Sequence, residues 1–202
     1  MKINILYCEQ NSEEWYKSRL GFITASGFSK VLAKGQGKTR ASYMREVAAE
    51  ILTGESQEGF SNAYTEHGSN TEPEALARYE FDKSVTSEKV GFIHLENINI
   101  GCSPDGLIGN DGLVEFKCPK TTTQIETFLS GKMPTTHKAQ VQGQLWITER
   151  EWCDFVSFDP RINGGSSYFC VRQYRDEDYI KSLESECYKF CDELNELVDK
   201  LK

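Results

Sequence analysis

The chain has 202 residues, 38% of them hydrophobic and 11% aromatic, which suits one domain with a hydrophobic core, and we expect residues 1–202 to form it. No apolar run approaches the ~20 residues that span a bilayer, and segment 1–7 is far too short for a signal peptide, so a cytoplasmic protein without membrane contact is expected. The net charge of −8 weighs against the broad basic surface that favours binding to nucleic acid.

The charge is unevenly distributed along the chain. Residues 176–199 contain nine acidic side chains, a pattern typical of a solvated helix face. Residues 17–45 contain no acidic residue but seven basic ones: Lys17, Arg19, Lys30, Lys34, Lys38, Arg40 and Arg45. We therefore expect an anionic partner to contact the basic N-terminal segment and not the acidic C-terminal one.

The cysteines and histidines show no ligand pattern. Seven cysteines, an odd number, with no Cys-x2-Cys pair favour reduced, buried or half-buried thiols over a disulfide framework or an iron–sulfur cluster. The three histidines, at positions 67, 94 and 137, lack metal-ligand spacing, and we assign them no role.

The first part of the chain is expected to be helical. An Asn/Ser–Glu capping pattern predicts a short helix over 11–19, and Thr24 is a candidate N-cap for a second helix over 24–32. Residues 34–40 form a glycine-broken basic loop that lacks the spacing of a phosphate-binding P-loop, which argues against nucleotide binding. An amphipathic helix follows over 41–52.

A longer helix is predicted from about 70 to 81, after a loop over 59–65. Pro73 is expected in its first turn, where a missing N–H is tolerated. The same turn contains Glu72 and Glu74, and a carboxylate there is favourable to the helix dipole without any further role. One or two strands are expected over 85–95.

A β-hairpin motif lies at the centre of the chain. Pro104–Gly106 predicts a turn, and Asn110–Gly112 is a strong two-strand turn signal. Because side chains alternate along a strand, Glu115 and Lys117 share one face. The hairpin would bring Asp105 beside Glu115, so that two carboxylates and one ammonium converge.

Such a group suits a divalent metal site for phosphate chemistry. Mg²⁺ prefers one or two carboxylates together with waters and phosphate oxygens, and it activates a bound water for attack. A lysine nearby can hold or deprotonate that water. The alternative is a surface hairpin on which Glu115 and Lys117 form a weak, exposed ion pair.

The C-terminal half continues the α/β pattern. Helices are predicted over 121–129 and 137–146, and alternating aromatic strands over 151–158 and 167–172. From residue 176 the chain is expected to be helical to its end, with a buried stripe formed by Tyr179, Leu183, Cys187, Phe190, Cys191, Leu194 and Val198.

The segments Ser103–Leu107 and Leu113–Pro119 resemble the nuclease motif of the lambda-exonuclease family of phage recombination exonucleases, a YqaJ-like group within the restriction-endonuclease-like superfamily. That superfamily has a Pro-Asp followed by Asp/Glu-x-Lys. Further matches, in the family's order, are the Trp15-to-Ser26 segment, Glu72, and Ala139-Gln140-Val141-Gln142. The resemblance therefore extends over nearly the whole chain, and it implies an α/β fold with a central mixed β-sheet flanked by helices.

By this resemblance, Asp105 and Glu115 would be metal ligands together with the backbone carbonyl of Phe116, and Glu72 would complete the site. Lys117 would position the attacking water. Gln140 would face the metal site, although the sequence does not decide between it and Gln142. Three residues would bind a 5′-phosphate: Arg19, Ser26 and Ser103.

The resemblance implies a Mg²⁺-dependent exonuclease, with Mn²⁺ able to replace Mg²⁺. It would degrade the 5′ strand of linear double-stranded DNA and leave 3′ overhangs for a single-strand annealing protein, acting as a ring-shaped homotrimer. Two alternatives stay open: an endonuclease or structure-specific nuclease on the same fold, and a DNA-end-binding or acidic partner-binding module without turnover.

Overall fold

The computed structural model describes residues 2–34, 38–56 and 63–202, and side chains within those ranges except those of residues 63–69. The strands are β1 Ile3–Leu6, β2 Ile23–Thr24, β3 Ser87–Glu88, β4 Phe92–Leu95, β5 Ile100–Cys102, β6 Gly106–Ile108, β7 Gly112–Lys117, β8 Trp152–Phe158 and β9 Tyr168–Tyr174. The α-helices are α1 Glu13–Ser18, α2 Phe28–Val31, α3 Lys38–Thr53, α4 Ala63–Lys83, α5 Thr121–Ser130, α6 Lys138–Thr148 and α7 Glu177–Leu201.

The strands form two mixed sheets, with the orders β1-β4-β5-β2 and β3-β6-β7-β8-β9. The expected α/β class with flanking helices is confirmed, but its strands are divided between two sheets where one was expected. The division falls at 103–105, between β5 and β6, where Pro104 has no N–H to donate to a sheet. The side-chain amide of Gln10 donates to the Pro104 carbonyl at 3.0 Å and fixes this connection.

Helices cover both faces of the five-stranded sheet. On one face, Leu113 and Cys153 belong to the main core, which also includes buried residues of α2, α3, α6 and α7. The opposite face packs against α4 through Ala75 and Tyr79, which meet Val114, Phe116, Val156 and Phe158. The alternation predicted for the central hairpin is therefore confirmed, because Val114 and Phe116 lie on the face opposite Glu115 and Lys117.

Helix α4 differs from its prediction. It begins at Ala63, so Pro73 lies in its interior and not in its first turn, and part of the predicted loop over 59–65 is helical. Residues 57–62, which include the rest of that loop, lie outside the described part of the chain. The proline ring lies on the exposed side, while the buried side of the helix, Thr71, Ala75 and Tyr79, continues past it. Packing of that side against the sheet outweighs a local cost of about 3 kcal/mol for an interior proline.

The structure also differs from the helix predicted over 24–32. Ile23 and Thr24 form β2, which pairs in parallel with β5, and a 3₁₀ turn over Ala25–Gly27 precedes α2. Thr24 takes the predicted N-cap position, before this 3₁₀ turn, but its side chain makes no capping bond. A Cβ atom at Gly27 would lie 2.2 Å from the Tyr43 hydroxyl, so the close approach of this turn to α3 requires glycine.

Other elements agree with expectation. Ser12 caps α1 by accepting from the Trp15 N–H at 3.2 Å, and Asp176 caps α7 by accepting from the Tyr179 N–H at 3.0 Å. All seven cysteines are free thiols, and each is buried or half-buried. Among the described residues, no helix is both long and apolar enough to cross a membrane.

A buried ionic network attaches α4 to the sheet. Asp154 on β8, 1% exposed, accepts from the Tyr79 hydroxyl of α4 at 2.9 Å and from the Arg172 guanidinium of β9 at 2.8 and 2.9 Å. The guanidinium carbon of Arg172 also lies 3.4 Å from the centroid of the Trp152 ring. Through this network, the helix that carries Glu72 is fixed to the strand beside the central hairpin.

Replacing Asp154 with alanine is expected to lower the free energy of unfolding by about 3 kcal/mol, because a buried partner is removed from both Arg172 and Tyr79. Chemical denaturation measures the change. Asp82→Ala, which removes a partly exposed i,i+4 pair with Arg78, is the control and should cost below about 1 kcal/mol. Equal losses for both variants would contradict a structural role for the buried network.

Candidate active site

The site is built on the β6–β7 hairpin. Antiparallel pairing of Gly106 with Val114 places Asp105 beside Glu115, as the sequence predicted. The Phe116 N–H donates to the Asp105 carboxylate at 2.6 Å, which fixes that side chain at the strand end. Asp105 is half-buried, while Glu115 is 1% exposed. The alternative of an exposed surface ion pair is therefore excluded by burial.

Three side chains surround the Glu115 carboxylate. The Lys117 ammonium lies 2.5 Å from Oε1, and the Gln140 amide donates to the same oxygen at 2.5 Å. The Gln144 amide donates to Oε2 at 2.7 Å. Both oxygens of the carboxylate are thus oriented by named groups.

The electrostatics of the site show an excess of negative charge. Burial, and then the charges of Glu115 and Glu72, raise the pKa of Asp105 well above its usual value. Burial also raises the pKa of Glu72, and Glu115 adds to that increase. The charge of Lys89 opposes the increase at Glu72. Burial alone would lower the pKa of Lys117, but the charges of Glu115 and Asp105 outweigh it and raise that pKa. Lys117 is therefore a protonated donor among three carboxylates.

A cleft of about 260 Å³ connects this group with the N-terminal segment. Seven of the predicted site residues line this cleft: Arg19, Ser26, Ser103, Asp105, Glu115, Lys117 and Gln140. The predicted phosphate-binding residues and the predicted metal-binding hairpin thus meet in one cavity.

Trp15 contacts two of the predicted phosphate-binding residues that line the cleft. Its indole N–H donates to the Gly91 carbonyl at 2.9 Å and to the Ser103 hydroxyl at 3.0 Å. The Arg19 guanidinium carbon lies 3.8 Å from the centroid of the Trp15 ring. The Ser26 hydroxyl is hydrogen-bonded to that of Thr24 at 3.1 Å.

Two predicted site residues do not line this cleft. Glu72, on α4, is half-buried and acts on Asp105 through its charge, whereas Glu74 is exposed, which favours Glu72 of the two. The Phe116 ring is directed to the opposite face, where it packs edge-on to Tyr79 with ring centroids 5.9 Å apart.

The two glutamines of α6 that the sequence left open have different hydrogen-bond partners. Gln140 contacts Glu115, whereas Gln142 donates to the Tyr174 carbonyl at 2.9 Å and accepts from the Asp176 N–H at 2.9 Å. Gln144 was not among the predicted site residues. Its i,i+4 spacing from Gln140 on one helix face was the available signal.

Several charges of the basic segment are paired with acidic residues outside it. Lys17 lies 2.6 Å from Glu13, and Lys30 lies 3.6 Å from Glu46. Arg40 lies 2.6 Å from Glu193 on the acidic helix α7. The centre of the glycine-rich loop, residues 35–37, lies outside the described residues. Within the described part of the segment, Arg19, Thr24, Ala25 and Ser26 line the cleft, and Arg19 is the basic residue among them.

The fold and cleft together define a mixed α/β domain with a carboxylate–lysine cluster on a central hairpin. Residues 14–151 match the model of the YqaJ-like viral recombinase domain, and the chain belongs to this family. The resemblance inferred from the sequence is therefore confirmed.

Solved structures agree with this assignment. The alkaline exonuclease LHK-Exo of Laribacter hongkongensis is 40% identical, with a TM-score of 0.88 over 94% of this chain and 96% of that one. Its complex with dAMP gives 41% identity and a TM-score of 0.90, over 95% and 96% of the two chains. A phage-related exonuclease from Haemophilus somnus, 17% identical with a TM-score of 0.66 over 90% and 96%, shares the fold.

A curated relative is an uncharacterized protein of Acanthamoeba polyphaga mimivirus. It is 28% identical over 165 residues, which are 73% of this chain and 29% of that protein. The chain thus spans less than a third of the length of this relative.

Proposed function

We propose that this chain is a divalent-metal-dependent exonuclease that degrades the 5′ strand of linear double-stranded DNA. The observation that carries the proposal is the single cleft in which Asp105, Glu115 and Lys117 meet Arg19, Ser26 and Ser103. The similarity to an alkaline exonuclease over nearly the full length of both chains supports it.

The donor set fits Mg²⁺, with Mn²⁺ as a substitute. Among the described residues, no three Asp, Glu, His or Cys side chains already form a closed metal cage. Mg²⁺ does not need one, since one or two carboxylates completed by waters and phosphate oxygens suffice. Burial, and then the charges of Glu115 and Glu72, raise the pKa of Asp105, and a bound dication would favour its ionised form by neutralising that negative charge.

In this proposal Asp105, Glu115 and the Phe116 carbonyl would hold the ion, and Glu72 would contribute to a second ion or its waters. The ion would supply charge stabilisation at the phosphate and a more acidic water. Lys117, protonated and next to Glu115, would orient that water by donating a hydrogen bond. Gln140 would hold Glu115 and face the same water or the phosphate.

The other end of the cleft would bind the terminal 5′-phosphate. Guanidinium and hydroxyl groups are strong donors to phosphate oxygens, and Arg19, Ser26 and Ser103 supply them on one wall. A phosphate held there would fix the register of the strand, so that the bond one nucleotide further in reaches the metal-binding hairpin.

The remaining proposals follow the family resemblance. Removal of the 5′ strand in the 5′→3′ direction would leave 3′ overhangs for a single-strand annealing protein in phage-type homologous recombination. The active form would be a homotrimeric ring around the DNA, working in the cytoplasm of a bacterial host.

Arg19→Ala is expected to reduce the preference for 5′-phosphorylated over 5′-hydroxyl ends by about tenfold or more, because a charged hydrogen bond to phosphate is lost. The ratio of the two initial rates measures this. Lys17→Ala, two residues away at the end of α1 and paired with Glu13, is the matched control and should leave the ratio unchanged. An unchanged ratio in Arg19→Ala would remove Arg19 from the phosphate site.

The proposal as a whole is tested with duplexes labelled at the 5′ or the 3′ end of one strand, in Mg²⁺ and in EDTA. We expect the 5′ label to be released first, as mononucleotides and only in Mg²⁺. Release of the 3′ label first would reverse the polarity. End binding without cleavage would favour a non-catalytic module.

A further inference from the structure

Gln144 is the most deeply buried polar contact of the active site. Its side chain is fully buried, with 0% exposure, and its amide donates to Glu115 Oε2 at 2.7 Å. The amide orientation is fixed by this neighbour, since a carbonyl oxygen facing a carboxylate oxygen would repel it. The Gln144 carbonyl oxygen, Oε1, has no hydrogen-bond partner among the described residues.

The two ends of the Gln144 carboxamide have different surroundings. The amide end fixes the plane of the Glu115 carboxylate by holding Oε2, while Lys117 and Gln140 share Oε1. The carbonyl end is a buried acceptor on a cleft-lining residue, and such acceptors in native proteins are generally satisfied, with water as a common partner.

We propose that Gln144 is a positioning residue for the metal site. It holds Glu115 in the orientation in which that carboxylate would bind the ion. Its carbonyl oxygen, which has no partner among the described residues, would accept a hydrogen bond from water in the occupied site. The inference rests on the proposed metal-dependent function and extends it to a residue that does not itself contact the ion. Partners that orient a metal-binding carboxylate typically change metal affinity or activity 10- to 100-fold when they are replaced.

The chain provides a matched control two residues away. Gln142 lies on the same helix and is 3% exposed, but it bonds to the backbone of Tyr174 and Asp176 and not to Glu115. Gln142→Met and Gln144→Met therefore remove the same chemical group from the same helix. They differ in whether the lost hydrogen bond belongs to Glu115 or to the scaffold.

The test is calorimetric titration of Mn²⁺ into the DNA-free protein, together with Tm and the Mg²⁺ dependence of cleavage. Gln144→Met is expected to weaken Mn²⁺ binding about 10- to 100-fold and to raise the Mg²⁺ concentration for half-maximal rate in the same direction. Gln142→Met is expected to lower Tm with Mn²⁺ affinity unchanged. Gln144→Asn, which keeps the carboxamide but shortens its reach, should behave as Gln144→Met and serves if the methionine variant does not fold.

Parent-like Mn²⁺ affinity in the Gln144 variants would overturn the inference. A loss of Mn²⁺ affinity no larger than the loss in Gln142→Met would overturn it as well. Those outcomes leave the proposed nuclease intact. Absence of Mn²⁺ binding by the parent protein would instead overturn the metal-dependent function, and this inference with it.

Discussion

Lys117→Ala is expected to lower the rate of duplex cleavage by about 100- to 1,000-fold while binding of duplex ends stays close to that of the parent. The variant lacks the Lys117 ammonium, which lies 2.5 Å from Glu115 Oε1. It therefore also lacks the donor that would orient the attacking water. Glu115 keeps its hydrogen bonds to Gln140 and Gln144, so the carboxylate should stay in place. Single-turnover cleavage in Mg²⁺ and end binding in Ca²⁺ separate the two effects.

The control for this variant is Lys132→Ala, which removes the same charge from an exposed position after α5. It should leave both rate and binding unchanged. Parent-like cleavage by Lys117→Ala would exclude the lysine from catalysis, and an equal loss of binding would reassign it to DNA contact.

Asp105→Asn is expected to lower the rate of cleavage by a factor on the order of 10³. The same variant is expected to stabilise the metal-free protein. The asparagine oxygen can still accept from the Phe116 N–H, so the hairpin end is retained, but an anionic ligand is lost. Removing one of three mutually repelling carboxylates should raise Tm in EDTA at neutral pH, by about 2–4 °C for each kcal/mol of repulsion relieved.

The pH dependence of this gain has a defined sign. Because the folded-state pKa of Asp105 is raised, its ionisation lowers stability as the pH rises through that pKa. The difference in Tm between Asp105→Asn and the parent should therefore shrink on acidification, when the parent carboxyl is protonated as well. Asp111→Asn, an exposed position on the same hairpin, should show neither effect. A lower Tm in EDTA for Asp105→Asn would contradict the charge argument.

The active-site hairpin could be predicted because its signals are local. The turn signal at Asn110–Gly112 marks the hairpin loop, which occupies residues 109–111 with Gly112 as the first residue of β7. The alternation of Glu115 with its neighbours predicts the facing, and the structure agrees. Gln140 was placed at the site by the family resemblance, and the geometry explains the choice over Gln142. The cleft that joins Arg19 to Lys117 could be expected only from that resemblance, since residues about 100 positions apart carry no local signal of their contact.

Features that depend on tertiary packing were not predictable. Strand β2 has two residues and exists because it pairs with β5, and α4 continues through Pro73 because its buried face packs on the sheet. The contact between Gln144 and Glu115 depends on how α6 lies against β7, which the glutamine pattern alone does not specify.

The net negative charge does not oppose a DNA substrate once its placement is known. Helix α7 carries many of the acidic residues, and one of them, Glu193, pairs with Arg40 of the basic segment. The cleft itself combines Arg19 and Lys117 with carboxylates that metal ions would neutralise. Local charge at the cleft, and not the total, is therefore the quantity that governs binding of a strand end.

The most direct test of the central claim compares linear duplex DNA with covalently closed circular duplex, each incubated with the purified protein in Mg²⁺ and in EDTA. The account predicts that linear DNA releases acid-soluble nucleotides from its 5′ strands in Mg²⁺ alone, and that the circle stays intact. Linear DNA that persists in Mg²⁺ would contradict a nuclease function for this cleft, and cutting of the circle would contradict the requirement for an end.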